Sequence, residues 1–122
     1  MTRKANSSIS LQQCRLARFS HPGSVAYAAV KGAIEVLTRY QAKELGACGI
    51  AVNVLALGAI ETDVGGGRVR DNAEINAGIA SQTALGRIGP PDDIGYAVAA
   101  LFIEECRWIN GHRIEASGGM YL

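Results

Sequence analysis

Tyr27 and Lys31 are the residues of this sequence whose types and spacing are best suited to acid/base chemistry. The stretch "HPGSVAYAAVKGAIEVLTRYQAKEL" at 21–45 places them four positions apart in a helix-like pattern. Residues four apart on a helix share a face, with Cβ atoms about 5–6 Å apart. A phenol has an ordinary pKa of about 10, and a nearby ammonium lowers that pKa. The pair therefore indicates a phenol that donates a proton to a carbonyl or accepts one from an alcohol.

The same spacing also has a plain structural interpretation. A chain of this composition contains a Tyr-x-x-x-Lys pair by chance in roughly one sequence in ten, usually on a solvated helix face. The pair by itself therefore leaves both interpretations open, and the surrounding sequence has to decide between them.

Two helices and two strands are predicted around this pair. Apolar residues at helical spacing predict a helix at 24–45, which Gly46 is placed to end, and the run "GIAVNVLAL" predicts a strand at 49–57 covered on both faces. "PPDDIGYAVAALFIEE" opens with proline and acids and predicts a helix at 91–105, and "HRIEAS" predicts a strand at 112–117. A helix followed by a buried strand is typical of an α/β fold with a parallel sheet.

Residues 58–89 lie between the strand at 49–57 and the helix at 91–105. Their apolar residues show no sustained periodicity, and the segment is rich in glycine. This pattern predicts a long mobile loop with a short helix near 73–80. The glycine triplet 65–67 does not follow a strand, so we interpret it as a source of flexibility and not as a phosphate cradle. Thr62 and Asp63 are equally suited to capping a helix.

Composition and charge argue against several other classes of protein. Hydrophobic residues make up 48% and charged residues 19% of the 122 positions, which is typical of an ordinary globular protein. A net charge of +1 gives no field that would attract nucleic acid, and the longest apolar run, 51–60, is too short to span a membrane. Cys14, Cys48 and Cys106 indicate neither a metal site nor a disulfide framework, so we expect reduced thiols and a cytoplasmic protein.

Four ordered blocks decide between the two interpretations of the pair. These are "PGSVAYAAVKGAIEVLTRYQAKEL", "GIAVNVLALGAIETD", "ALGRIGPPDDIGYAVAAL" and "WINGHRIEASGGM". In this order they resemble the C-terminal half of the short-chain dehydrogenases/reductases, from about Phe19 to Met120. The resemblance implies a partial Rossmann-like, doubly wound parallel sheet. We expect a truncated catalytic-half domain at 18–122, preceded by an irregular lead-in at 1–17 that resembles nothing in the family.

The resemblance also implies a function and a set of site residues. Family members transfer a hydride between the nicotinamide of NAD or NADP and a carbonyl or alcohol substrate. Tyr27 would be the acid/base, and Lys31 would lower its pKa and hold the nicotinamide ribose. Gly58, the backbone of Ile60 and the hydroxyl of Thr62 would face the nicotinamide carboxamide. Residues 64–83 would form a substrate lid, in which Arg68, Arg70 and Asp71 could touch a substrate.

This sequence departs from the family pattern in several places. Neither Gly-x-x-x-Gly-x-Gly nor Gly-x-Gly-x-x-Gly occurs, so the turn that holds the pyrophosphate is missing from these residues. Cys14 stands where the family has its catalytic serine, and Leu57 stands where the family usually has proline. The stretch "SSIS" at 7–10 resembles the end of the family's fifth strand, but its serines lie several residues too far from Tyr27 unless a loop bulges.

These departures leave two functions open. The first is an NAD(P)-dependent oxidoreductase that is impaired without a dinucleotide-binding half. The second is a non-catalytic module that regulates related chains by oligomerisation. The helices at 24–45 and 91–105 correspond to the family's interfaces, and two strands alone make a marginal sheet, so we expect a homo-oligomer, a dimer or tetramer.

Overall fold

Three strands and four helices make up the part of the chain described by the computed structural model, residues 6–13 and 20–122. The strands are β1 (Asn6–Gln13), β2 (Ile50–Leu57) and β3 (Arg113–Ala116). The helices are α1 (Val25–Leu45), α2 (Arg68–Asp71), α3 (Ala73–Ser81) and α4 (Pro91–Leu101). Short 3-10 turns follow α1 at Gly46–Cys48 and α4 at Glu104–Cys106.

The strands form one parallel sheet in the order β1-β2-β3. β1 pairs with β2 along its whole length, from Asn6 opposite Ile50 to Gln13 opposite Leu57. β3 pairs with the second half of β2, starting with Arg113 opposite Val54. The α/β fold class with a parallel sheet is therefore confirmed, and α1, β2 and β3 begin and end within one residue of their predicted bounds.

β2 is the centre of the sheet and of the core. Its residues from Ala51 to Ala56 are all buried, and Val54 and Leu55 are each only 1% exposed. A strand covered on both faces reads as a continuous apolar run, which is the pattern that predicted it. Asn53 interrupts this run, yet it too is buried, because its side chain pairs with the backbone beside the start of β3.

Helix α1 ends differently from the prediction. Gly46 was expected to stop the helix, but it keeps right-handed helical angles and begins the 3-10 turn. The left-handed residue is Gly49, with φ of 74°, and its N–H donates to the carbonyl of Gly46 at 2.9 Å. A glycine at this position lets the chain leave the helical path at little steric cost and enter β2 directly.

Helix α4 is shorter than predicted. It begins at Pro91 with Asp92 and Asp93 in its first turn, as expected, but ends at Leu101 instead of residue 105. Ile103 has extended backbone angles, which interrupt the helix before the 3-10 turn.

The irregular lead-in predicted at 1–17 was wrong for residues 6–13, which form β1. The sequence "NSSISLQQ" contains one β-branched apolar residue and is otherwise mostly polar, so it carries little strand signal of its own. Its strand conformation comes from pairing with β2, and the expected sheet of two strands is a sheet of three. The predicted boundary between residues 17 and 18, and Cys14, lie outside the described residues.

The segment predicted as a long loop at 58–89 contains α2 and α3. The predicted short helix is present as α3, and Asn72 caps it by accepting hydrogen bonds from the N–H groups of Glu74 and Ile75. Among the helices of the described residues, none combines the length and the apolar character that crossing a membrane requires.

Candidate active site

Helix α1 carries Tyr27 and Lys31 to the end of β2. The candidate binding turn, residues 58–62, begins at this end. α1 packs on β2, and the short Gly46–Cys48 turn between them makes the two elements run in opposite directions. From Leu45 back to Lys31 the helix covers about 21 Å, and from Ile50 to Leu57 the strand covers about 23 Å. The amino-terminal part of α1 therefore lies at the level of the carboxyl end of β2.

Tyr27 and Lys31 lie together on α1, as their spacing predicted. The ammonium nitrogen of Lys31 is 5.2 Å from the centroid of the Tyr27 ring. A cation at this distance from an aromatic ring is attracted to it, which favours one arrangement of two flexible side chains. Tyr27 is 41% exposed and Lys31 is half-buried, so part of Tyr27 is accessible from outside the chain. The roles assigned to the two groups in proton transfer stay predictions.

Gly58 has a structural reason of its own to be glycine. Its N–H donates to the carbonyl of Ala116 at 3.1 Å, which draws the end of β2 against the end of β3. A Cβ added at Gly58 would lie 2.7 Å from the Cα of Ser117, closer than side chains pack. This contact was not foreseen from the sequence, because nothing local to Gly58 shows that residue 117 lies against it.

The backbone of Ile60 presents an N–H group at this end of the sheet. Gly89 pairs with the backbone on either side of Ile60. Its N–H donates to Ala59 O at 3.2 Å, and its carbonyl accepts from Glu61 N at 2.9 Å. The carbonyl of Ile60 accepts from Thr62 N at 2.9 Å. Within the described part of the chain no acceptor lies against the Ile60 N–H, although the residue is only 8% exposed. A backbone N–H that donates to none of the described residues is free to donate to the acceptor of a ligand.

Thr62 is partly buried just after Ile60, and its hydroxyl oxygen accepts a long hydrogen bond from Val64 N at 3.4 Å. The alternative that Thr62 or Asp63 caps a helix is wrong for the helices described, because α2 begins only at Arg68 with Gly67 before it. The Thr62 hydroxyl retains a donor that can reach a carbonyl oxygen. Its proposed contact with a carboxamide stays a prediction.

The glycine triplet 65–67 has a defined shape. All three residues adopt left-handed backbone angles, with φ of 69°, 75° and 72°. Residues other than glycine rarely adopt left-handed backbone angles, so positions 65–67 need glycine for their geometry as well as for any flexibility. Gly67 precedes α2 directly, and the triplet therefore leads the chain into the first helix of the predicted lid.

A charged cluster holds the start of this lid. Arg70 Nε donates to Asp71 Oδ1 at 2.6 Å, and Arg70 Nη1 donates to Asp63 Oδ1. The hydrogen bond from Arg70 lowers the pKa of the Asp71 carboxyl, and the two carboxylates, Asp71 first, raise the pKa of the Arg70 guanidinium. Arg70 is therefore engaged within the lid, so its predicted availability to a substrate requires these contacts to open.

Asn76 ties α3 to the binding turn. Its side-chain nitrogen lies 3.2 Å from both Glu61 Oε1 and Val69 O, so one amide joins α3 to residues on either side of the glycine triplet. Sequence reasoning missed this residue, because an asparagine inside a short helix gives no signal of a partner fifteen positions earlier.

A cavity of about 270 Å³ lies at the carboxyl ends of β2 and β3. Ala59, Ile60 and Ser117 line it from the sheet, and Arg87 and Tyr96 line it from the segment that contains α4. It lies on the side of Ile60 where Gly89 is bound, and neither Tyr27 nor Lys31 lines it.

Comparison with known proteins identifies the family. The family model described as enoyl-(acyl carrier protein) reductase matches residues 1–121. The chain is 38% identical over 100 residues to the 3-oxoacyl-[acyl-carrier-protein] reductase FabG of Escherichia coli, covering 82% of this chain and 40% of that protein. It is 39% identical over 99 residues to an uncharacterised oxidoreductase of Methylorubrum extorquens, covering 81% of this chain and 40% of that protein.

Solved structures show the same relationship. The reductase LugOII, which catalyses keto-reduction at C1 during lugdunomycin biosynthesis, has a TM-score of 0.87 and 37% identity over 98% of this chain and 46% of its own. The angucycline C-6 ketoreductase LanV with bound NADP has a TM-score of 0.84 and 30% identity, over 97% of this chain and 44% of its own.

The strand order, the Tyr27–Lys31 pair and these matches define a short-chain dehydrogenase/reductase fold. The chain belongs to the short-chain dehydrogenase/reductase family. It spans about 40% of the length of the curated relatives it matches. The expectation that residues 1–17 resemble nothing in the family was wrong, because the family match begins at residue 1.

The residues present supply hydrogen-bond donors of the kind that the nicotinamide end of NAD or NADP would use. The buried Ile60 N–H without a described partner and the donor of Thr62 suit an amide oxygen, and Lys31 can donate to a sugar hydroxyl while it stays near Tyr27. The glycine-rich motif that holds the pyrophosphate in this fold does not occur in the sequence of this chain.

Proposed function

We propose that this chain carries the proton-transfer part of an NAD(P)-dependent oxidoreductase that interconverts a carbonyl and an alcohol. The observation that carries the proposal is the 5.2 Å approach of the Lys31 ammonium to the ring of Tyr27. Membership of the family, and bound NADP in the LanV structure, support the cofactor class.

In this proposal Tyr27 gives its hydroxyl proton to the substrate oxygen during reduction and takes it back during oxidation. The positive charge of Lys31 stabilises the phenolate that Tyr27 becomes after proton loss. Lys31 also donates to the ribose, and Ile60 N–H and Thr62 orient the carboxamide. NAD(P), when bound, supplies or accepts the hydride.

We further propose that the isolated chain is an impaired enzyme. A dinucleotide held by its nicotinamide end alone forgoes the contacts to pyrophosphate and adenosine, which contribute much of its binding free energy. The relatives in which these contacts would be found are more than twice as long as the matched region. We propose a cytoplasmic location for the active form, a placement that its free thiols Cys48 and Cys106 support.

A chimera tests the catalytic proposal. The amino-terminal part of the Escherichia coli reductase that lies outside the match would be joined to this chain at about Phe19. Oxidation of NADPH would then be followed by absorbance with small ketones. We expect turnover in the chimera, and a loss of about 10²- to 10⁴-fold in kcat on Tyr27→Phe, the range that a positioned acid contributes. Lys31→Ala should also lower kcat and weaken NADPH binding.

The chain contains matched controls for both variants. Tyr40→Phe and Lys43→Ala lie on the same helix, and Tyr40 is 65% exposed, so neither change should alter turnover. In the isolated chain, fluorescence titration of NADH and NADPH should show no saturation in the micromolar range. A folded chimera that binds NADPH and is equally active with Phe at position 27 would contradict the proposal.

A second candidate function, an oligomerisation module, is favoured by the surface of α1. Val30, Leu37 and Tyr40 are 60%, 52% and 65% exposed and, with Ala33, follow the alternating spacing of three and four residues that joins helices in pairs. Apolar residues aligned in this way on a helix surface usually mark a contact with another chain. We propose that this stripe forms a homo-oligomer, a dimer or tetramer, or pairs with a related chain.

Sedimentation of the purified chain tests this second candidate. We expect an oligomer that Leu37→Glu converts towards monomer, because the new carboxylate would lose its hydration in a helix pair. Gln41→Glu on the same helix supplies the matched charge control and should leave the association unchanged. A chain that sediments as a monomer with and without Leu37→Glu would exclude this function.

A further inference from the structure

The two residues on either side of Thr62 are each bound by a helix of the predicted lid. Asp63 accepts a hydrogen bond from Arg70 of α2, and Glu61 Oε1 accepts one from Asn76 Nδ2 of α3 at 3.2 Å. Thr62 carries a hydroxyl of the candidate nicotinamide site and lies between these two contacts. The lid therefore holds the end of the binding turn on both sides of a proposed ligand-binding group.

The two contacts differ in exposure, and this difference makes Asn76 the stronger anchor. The side chains of Arg70 and Asp63 are 45% and 90% exposed, and an ion pair between exposed groups contributes little. Glu61 and Asn76 are both half-buried, and a hydrogen bond to a charged acceptor that is partly shielded from water contributes more. Asn76 also donates to Val69 O at 3.2 Å, so two acceptors fix its amide.

Glu61 connects Asn76 to the backbone around Ile60. The N–H of Glu61 donates to Gly89 O at 2.9 Å, and the N–H of Gly89 donates to Ala59 O at 3.2 Å. These two bonds frame Ile60, whose own N–H is the other donor of the candidate site. Glu61 is therefore joined to the lid helix through its side chain and to Gly89 through its backbone.

We propose that Asn76 is a positioning residue, which fixes the binding turn to α3 so that the Ile60 N–H and the Thr62 hydroxyl are presented together. This inference rests on the proposed function, because it concerns the donors assigned there to the carboxamide. When α3 moves away from the turn, Glu61 loses this partner and both donors lose a fixed position. Opening of the lid and release of the nicotinamide end are thereby coupled. Asn76 acts through Glu61 and is assigned no contact with substrate or cofactor.

Amide hydrogen exchange of the isolated chain tests the inference, with the Gly89 N–H as the reporter. The rate of exchange measures how often a hydrogen bond opens locally. In Asn76→Asp a carboxylate faces Glu61 in place of a donor, and we expect Gly89 to exchange about fivefold faster, the factor that one hydrogen bond of ordinary net strength contributes. Glu61→Ala removes the acceptor, leaves the sequence of α3 unaltered and should have the same effect.

An exchange of donor and acceptor separates this contact from a general loss of stability. Adding Glu61→Gln to Asn76→Asp lets the new amide donate to the new carboxylate, so the Gly89 rate should return towards its original value. The contact with Val69 O is not rebuilt by this change. Ser81→Ala is the matched control, because it removes a side-chain hydrogen bond that stays within α3, and it should leave the Gly89 rate unchanged.

A division between KM and kcat in the chimera shows whether this position matters for the cofactor. Tyr27 and Lys31 lie on α1 and keep their contact in Asn76→Asp, so kcat at saturating NADPH should stay nearly constant. The KM for NADPH should rise about fivefold, in proportion to the loss of the hydrogen bond. A chain that had only lost stability would instead show a lower apparent kcat and an unchanged KM.

Three results would overturn the inference. The first is an unchanged Gly89 rate in both single variants, the second is a double variant that exchanges as fast as Asn76→Asp, and the third is an unchanged KM for NADPH in an active chimera. An inactive chimera would contradict the proposed function, and the exchange rates would then decide this inference alone.

Discussion

The side chain of Asn53 accepts a hydrogen bond from the backbone N–H of His112 at 3.0 Å. The Nδ2 group of the same side chain donates to Ile109 O at 2.9 Å, so one buried amide fastens the turn before β3 to the middle of β2. Asn53 is 4% exposed, and no water is needed to satisfy it at these two positions.

Asn53→Leu is expected to destabilise the chain by about 2–4 kcal/mol. The substitution keeps the branched shape but leaves the N–H of His112 and the carbonyl of Ile109 without the partner inside the fold, and each such loss costs up to about 1–3 kcal/mol. Urea unfolding followed by circular dichroism measures the change. Gln41→Leu on the exposed part of α1 is the control and should change the free energy of unfolding by less than about 0.5 kcal/mol. Equal stability of both variants would show that the Asn53 contacts contribute nothing.

Gly58 and Gly95 are expected to respond to alanine with opposite signs. At Gly58 a Cβ would lie 2.7 Å from Ser117 Cα, so Gly58→Ala should push β2 and β3 apart and destabilise the chain by about 1–3 kcal/mol. At Gly95, within α4, nothing lies within 4 Å, so Gly95→Ala should stabilise by about 0.5–1 kcal/mol. Thermal or urea unfolding of the two variants checks the prediction, which a stabilising Gly58→Ala would refute.

Asn72→Ala is expected to loosen α3 selectively. Its side-chain oxygen accepts from Glu74 N at 3.1 Å and Ile75 N at 2.9 Å, and loss of such a cap costs about 0.5–2 kcal/mol. Amide hydrogen exchange should become faster in α3 and stay unchanged in β2. Asn72→Gly is the comparison, because glycine at this position costs only a few tenths of a kcal/mol. Equal exchange in the Ala and Gly variants would contradict a capping role.

The Arg70–Asp71 contact is expected to break in acid. The hydrogen bond from Arg70 lowers the pKa of Asp71 below its ordinary 3.8, so the folded chain holds this carboxylate charged more readily than the unfolded chain does. Its stabilising contribution is therefore fully present above pH 3.8 and is lost as the pH falls through the lowered pKa. Carbon-detected titration of the Asp71 carboxyl measures the shift. Arg70→Gln should return the pKa towards 3.8, and an unchanged titration in this variant would disprove the cause assigned.

The elements that the sequence predicted are those whose signal is local. Helix α1 was predicted from the helical spacing of its apolar residues, and β2 from its continuous apolar run. Both elements lie where they were expected. The first turn of α4, with Pro91 followed by two acids, is another local signal that held.

The features that the sequence did not predict depend on distant partners. β1 is a strand because β2 lies beside it, Gly58 is constrained because Ser117 packs against it, and Glu35 is bound because Arg113 reaches it from β3. The sequence around each of these residues does not indicate which distant residue it contacts. These features therefore depend on long-range pairing more than on local propensity.

The sheet also constrains how quickly the chain reaches this structure. Every pairing of β1 with β2, and of β2 with β3, joins residues roughly forty to sixty positions apart, so each closes a large loop before any ladder forms. Helix α1 can form within about a microsecond, long before these loops close. During synthesis β1 therefore leaves the ribosome well before β2, and this edge of β1 stays unpaired until β2 emerges.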